Sequence, residues 1–173
     1  MKSIYFNMEE FFDIVDEQDN VIGKSSKEEA HTKSLLHRTI HILILNSHGE
    51  LLLQKRSQNQ QIAPGHWGSS VGGHVSSGET YEQAAYRELQ EELGIKTQLE
   101  KFSKLVSSHQ GHNQLVTAFS GMSEGPFNPD PTEVEAVEFV KVGRIKREIR
   151  LSTRKFTPAF LEVFRIFCEV NGL

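Results

Sequence analysis

The order of elements along this sequence predicts an α/β sandwich, on three observations. Short β-branched, apolar runs recur from end to end. A capped helical segment interrupts them in the middle, and two more helical segments close the chain. No internal repeat or low-complexity linker divides the 173 residues, so they are expected to form a single domain, 1–173. Taken in order, "FFDIVDEQDNVIGKSS" reads as two short strands around a turn at Asp19-Asn20, a strand extension within residues 1–30. "SSKEEAHTKSLLH" is a polar connection with room for one helical turn. "RTIHILILNSHGELLLQKRS" is a hairpin, two apolar runs flanking the turn cluster Asn46-Ser47-His48-Gly49. "QNQQIAPGHWGSSVGG" begins as a loop and ends in a short strand around Ser69 to Val71.

A helix then starts at Thr80, where Gln83 completes a capping box, and stops at Gly94. Tyr81, Ala84, Ala85, Leu89 and Leu93 form its buried stripe. "TQLEKFSKLVSS", "HNQLVTAFSGM" and "EVEAVEFVKV" read as strands, with "GPFNPDP" as a loop between the last two. The final helices fall at about Val142 to Arg150 and Thr157 to Val170. Phe160, Phe164 and Phe167 in the second have the spacing of a core or dimer stripe, so a homodimer is one expectation. The basic run "RIKREIRLSTRK" is expected to be a wet helical face or a steering field for an anionic substrate.

Composition narrows the function classes. A net charge of -4 argues against duplex nucleic acid as a partner, though not against a single nucleotide. The one cysteine, Cys168, rules out a disulfide framework within the chain and fits a reducing, cytoplasmic setting. The acid-interrupted N-terminus does not read as a signal peptide, and no apolar run approaches the length of a membrane span.

The chemistry concentrates in "GGHVSSGETYEQAAYRELQEELGI". Glu88, Glu91 and Glu92 fall within roughly a third of a helix circumference. Like charges so close destabilise a helix unless something neutralises them. Carboxylates with a nearby backbone carbonyl make a hard, all-oxygen site suited to Mg²⁺ or Mn²⁺. Read alone, the pair at 91 and 92 is also what a solvated helix face carries.

The stretch resembles the Nudix box, G-x5-E-x7-R-E-U-x-E-E-x-G-U, with every fixed position matched from Gly73 through Glu79, Arg87, Glu88, Leu89, Glu91, Glu92 and Gly94 to Ile95. The resemblance implies the α/β/α sandwich of the Nudix (MutT-like) hydrolases, a mixed sheet with residues 73–95 as loop-helix-loop. It also implies Mg²⁺- or Mn²⁺-dependent cleavage of a diphosphate linkage in a small nucleotide or related substrate. By position, Glu88, Glu91 and Glu92 would bind metal with the carbonyl of Gly73. One of the glutamates, Glu91 for instance, would instead activate water. Glu79 and Arg87 would brace the loop.

A second likeness covers roughly Asp13 to Ile95 and is similar to isopentenyl diphosphate isomerase, a branch of the same superfamily. His31, His37 and His74 match that family's metal site, a set that suits a transition metal. The catalytic cysteine position of the isomerase is Gly72 here, and the region of its later glutamate reads His112, Asn113 and Gln114. The expectation is an isomerase-like frame with hydrolase chemistry. Isomerase activity and a non-catalytic nucleotide-binding module are the alternatives. For substrate contacts, Arg56 at a strand end, Trp67 in a Pro-Gly loop, His74 and Glu133 are the candidates. By the same resemblance, His109, His112 and Glu135 lie where a base or a further substrate contact would come from.

Overall fold

The structure, a computed structural model, describes residues 10–109 and 111–173. The first part of the expected N-terminal extension, residues 1–9, lies outside that range. The strands expected around Asp19 form as β1 (Phe11–Val15) and β2 (Val21–Ser26), paired antiparallel. Asp16 organises their turn by accepting from the backbone N–H groups of Gln18 and Asn20, both at 2.9 Å. The polar connection contains a short helix, α1 (Lys27–Thr32), capped by the Ser26 hydroxyl.

The predicted hairpin is corrected in an instructive way. Its strands are β3 (His37–Leu45) and β4 (Glu50–Arg56), and Asn46 closes the turn by accepting from His48 and Glu50. Yet among the described residues they pair only at Leu45 and Leu51, and then part. The predicted strand at 69–71 resolves into two pieces, one for each arm. β5 (Trp67–Gly68) pairs with β4, and β6 (Val71–His74) pairs with β3. Between them, Ser70 sits in the fork. Its hydroxyl accepts from the N–H of Ile44 at 2.7 Å and donates to the carbonyl of Leu52 at 2.6 Å. One side chain thereby replaces the ladder bonds that β3 and β4 do not make.

The helix after the glycine strand is α2 (Tyr81–Leu93). β7 (Leu99–His109) and β8 (His112–Met122) form an antiparallel pair, and β8 runs parallel to β3 from His37 to Leu45. β9 (Val134–Lys141) lies antiparallel along β4, and α3 (Val142–Leu151) and α4 (Pro158–Val170) complete the chain.

Strand alternation divides the core. Ile40, Ile42, Ile44 and Leu52 point to one face and pack with Ala84, Ala85, Leu89 and Leu93 of α2. Leu43, Leu51 and Leu53 point to the other and pack with Ile145 of α3 and Phe160, Phe164 and Phe167 of α4. The phenylalanine stripe is therefore core. The result is the expected α/β/α sandwich around a mixed sheet. Within the basic run after β9, Arg144 and Arg154 both reach Glu138 and Glu148 at about 3 Å.

Candidate active site

The glutamate helix forms where its local signals put it. Thr80 accepts from the N–H of Gln83, whose side chain accepts from the N–H of Thr80, and Gly94 ends the helix at φ 69°. Arg87 is the hub beneath it. The guanidinium donates two bonds of 2.9 Å to Glu79, one of 2.7 Å to Glu88 and one of 3.0 Å to the carbonyl of His74. Glu79 in turn accepts from the N–H of Ser76. The loop between β6 and α2 is thus fixed at both ends by one fork-shaped cation. These bonds, foremost those to Glu79, hold the Arg87 pKa far above its ordinary value.

Glu88 lies directly on Gly73. A Cβ at position 73 would fall 2.2 Å from the Glu88 carboxyl carbon, so any side chain there would displace that carboxyl. Glu92, one turn on, is 4% exposed and accepts from Nε2 of Gln54 at 2.9 Å. Burial pushes the Glu88 carboxyl up to about 7 and Glu92 well above the usual carboxylate range, each reinforced by nearby glutamates. Glu91 departs from the expectation that all three face one way. Its side chain is 59% exposed and meets Arg87 at 3.2 Å. Positions 88 and 92 are about 40° apart on a helix, whereas 91 falls about 60° to the other side of 88. Glu88, set over Gly73 and sharing the Arg87 guanidinium with Glu79 and Glu91, and the buried Glu92 one turn on are a fit for a hard divalent cation.

Glu92 opens onto a small cavity shared with Gln54, Arg56, Ser69 and Glu133, so Glu133 belongs to the acidic group. Beside it lies a larger cleft of about 440 Å³. Imidazoles ring it (His31, His41, His66, His74, His109 and His112), with Thr39, Gln114, Ile62 and Phe156 between them. Arg56 lines both spaces, held by Nε to the carbonyl of Ile62 and by one terminal nitrogen to Gln60. Trp67, named from the sequence as a candidate for substrate contact, lies outside both spaces. It packs against the core under α4, and its ring is covered by the Arg154 guanidinium at 4.3 Å. Glu135 pairs outward with Lys55 and Gln58, and His109 meets Glu162 at 2.9 Å.

The three matched histidines do converge. His31, His37 and His74 bring ring nitrogens within 4.8 Å of one another, from α1, β3 and β6. Phe12 of β1, fully buried, stacks on His37 and His74 with centroids 5.1 and 4.6 Å away. His37 donates from Nδ1 to the carbonyl of Leu35 at 2.8 Å, which leaves Nε2 buried, unpaired among the described residues, and available as a lone pair. Burial and mutual repulsion hold His31 at about 4 and lower His37 and His74, so all three are neutral at neutral pH. Neutral imidazoles fit a transition metal.

His41 was missed in the sequence. The run "HRTIH" places His37, Thr39 and His41 on one face of β3, and that alternation was the available signal. Its Nδ1 lies 2.8 Å from the Ser69 hydroxyl, and burial with the nearby Arg56 guanidinium lowers it to about 4.

A mixed sheet between helices, with a capped glutamate helix set over a glycine strand and a histidine-lined cleft beside it, is the arrangement that the family match accounts for. The chain matches the NUDIX domain over residues 35–160 and belongs to the Nudix hydrolase family. It is 32% identical over 164 residues to a Nudix hydrolase of Yersinia pestis, covering 94% of this chain and 88% of that one. An isopentenyl-diphosphate Delta-isomerase of Serratia proteamaculans is 32% identical, with 91% of both chains covered. A prenyl-diphosphate phosphatase of Methanosarcina mazei is 29% identical, with 90% and 94% covered. In fold, a crystal structure from Deinococcus radiodurans superposes with a TM-score of 0.81 at 24% identity, over 90% of this chain and 98% of the other. No helix among the described residues is long and apolar enough to cross a membrane.

Proposed function

We propose that this protein is a Mg²⁺- or Mn²⁺-dependent pyrophosphohydrolase of small diphosphate compounds. The observation that carries the reading is the pair of Glu88, set over Gly73, and Glu92, buried one turn on and opening onto the small cavity that Arg56 also lines. Glu88, Glu92 and the Gly73 carbonyl would hold the metal, with Glu91 and Glu133 at its rim. A divalent ion there would neutralise diphosphate charge and make a bound water more acidic. The chain does the rest. Arg87 and Glu79 keep the loop carbonyls in place, Arg56 meets a phosphoryl oxygen, and the cleft takes the group that the diphosphate carries. His74 contributes the wall nearest Gly73.

Both nucleoside diphosphate derivatives and prenyl diphosphates are proposed as substrate classes, the latter supported by the names of two relatives. Isomerase chemistry is disfavoured because Gly72 offers no thiol and Gln114 no carboxylate. The histidine cluster would hold a second, softer metal such as Zn²⁺, for which the unpaired Nε2 of His37 is the support. A cytoplasmic location is proposed on the single buried cysteine.

The test is phosphate release from a panel of nucleoside phosphates, dinucleotides, nucleotide sugars and prenyl diphosphates, with Mg²⁺ or Mn²⁺, beside Glu92→Gln. Metal-dependent release absent from the variant is expected. Conversion of isopentenyl diphosphate to its isomer without release would overturn the reading, and binding without turnover would favour a nucleotide-holding module.

A further inference from the structure

We propose that His41 is a substrate-binding and specificity residue, gripping the diphosphate where it passes from the acidic pocket into the cleft. The proposal rests on the hydrolase reading for the orientation of the substrate, and on four observations of its own.

The first is position. Four residues line both cavities: His41, Arg56, Gly72 and Thr157. A molecule with its phosphates at Glu92 and its body in the cleft must pass between them. The second is register. His41 on β3 lies directly opposite Gly72 on β6. A Cβ at position 72 would stand 3.4 Å from Cε1, 3.6 Å from Nδ1 and 3.7 Å from Nε2 of that ring, an ordinary packing distance. Any residue larger than alanine would extend from there over the imidazole. Glycine leaves that edge of the ring open.

The third is orientation. Ser69, 5% exposed, fixes the ring through Nδ1 at 2.8 Å. We assign the tautomer in which the Ser69 hydroxyl donates to Nδ1 and Nε2 carries the proton. The fourth is availability. Nε2 of His41 has no hydrogen-bond partner among the described residues, and the half-buried residue lines both cavities. A neutral N–H donor therefore faces the junction from one side while the Arg56 guanidinium faces it from the other. This pair suits an oxygen shared between two environments, such as a phosphoryl oxygen on the side of the diphosphate that carries the organic group. A donor already oriented by Ser69 adds affinity without an ordering cost.

The test compares His41→Gln, which keeps an N–H donor, with His41→Phe, which keeps a ring but no donor. Calorimetry with Mg²⁺ and imidodiphosphate, a non-hydrolysable probe, reads binding without turnover, and thermal melts confirm that each variant is folded. The phenylalanine variant is expected to weaken binding by about 10- to 100-fold, as loss of a hydrogen bond to a charged group does, while glutamine stays within a few-fold of wild type. On whatever substrate the phosphate-release panel identifies, the same variants are expected to raise KM more than they lower kcat. Equal binding by wild type and His41→Phe would overturn the proposal, as would equal losses in both variants, which would mark a packing role. So would wild type that does not bind the probe. The hydrolase reading fails separately: a wild type that releases no phosphate yet binds imidodiphosphate through His41 leaves this assignment intact.

Discussion

At the scale of single residues, the site is governed by carboxylates kept in an environment that resists their charge. A carboxyl whose folded pKa lies above its unfolded value contributes stability below the unfolded value. That contribution is lost as pH rises through the folded one. For Glu88 the window runs from 4.5 to about 7, and Glu92 shifts in the same direction. The metal-free protein is therefore expected to melt at lower temperature at about pH 8 than at about pH 5.5 from this pair, with Mg²⁺ raising the melting temperature more at the higher pH. Melting curves with and without Mg²⁺ check this, and equal metal effects at both pH values would detach the pair from metal binding. Glu92→Gln removes the charge but keeps a polar partner for Gln54. It is expected to be at least as stable as wild type without metal at pH 8, while phosphate release falls by about two to four orders of magnitude. Gly73→Ala is the steric counterpart. Its methyl group would displace the Glu88 carboxyl, so the Mg²⁺ concentration for half-maximal activity is expected to rise at least about tenfold in a metal titration.

At the scale of elements, α2 shows how much a local signal can carry. Removing its cap with Thr80→Ala is expected to cost about 1 kcal/mol in urea unfolding and to leave the charges of the site untouched. This helix was legible because its start, stripe and stop are all written within residues 80–94. The strands were legible as strands for the same reason, and β8 falls where its apolar run places it. Their partners were not. The Asn46 to Gly49 turn says only that the chain reverses, and the parting of β3 from β4 is taken up by β5 and β6, which lie beyond the hairpin in the chain. The same limit applies to side chains. The box residues could be assigned from spacing, but the outward turn of Glu91 and the covering of Trp67 by Arg154 are tertiary facts. His41 needed the register of β3 against β6 before its position opposite a glycine had any meaning.

At the scale of the whole molecule, the N-terminal hairpin supports the loop between β6 and α2. Asp13 of β1 accepts from the Ser77 hydroxyl at 2.6 Å and from the N–H of Gly78 at 3.0 Å, and the Phe11 carbonyl accepts from Ser77. The next residue, Phe12, carries the stacked histidines. Phe12→Ala is expected to cost about 3–5 kcal/mol, measured by denaturant unfolding, and to lower any transition-metal content found by elemental analysis. The fork between β3 and β4 has a consequence of another kind. The residues that touch a substrate can change one at a time, but the gap they share is spanned by the hydroxyl of Ser70, which is fully buried and touches neither cavity. The spacing of β3 and β4 at the fork is thus held by a side chain that lines neither cavity.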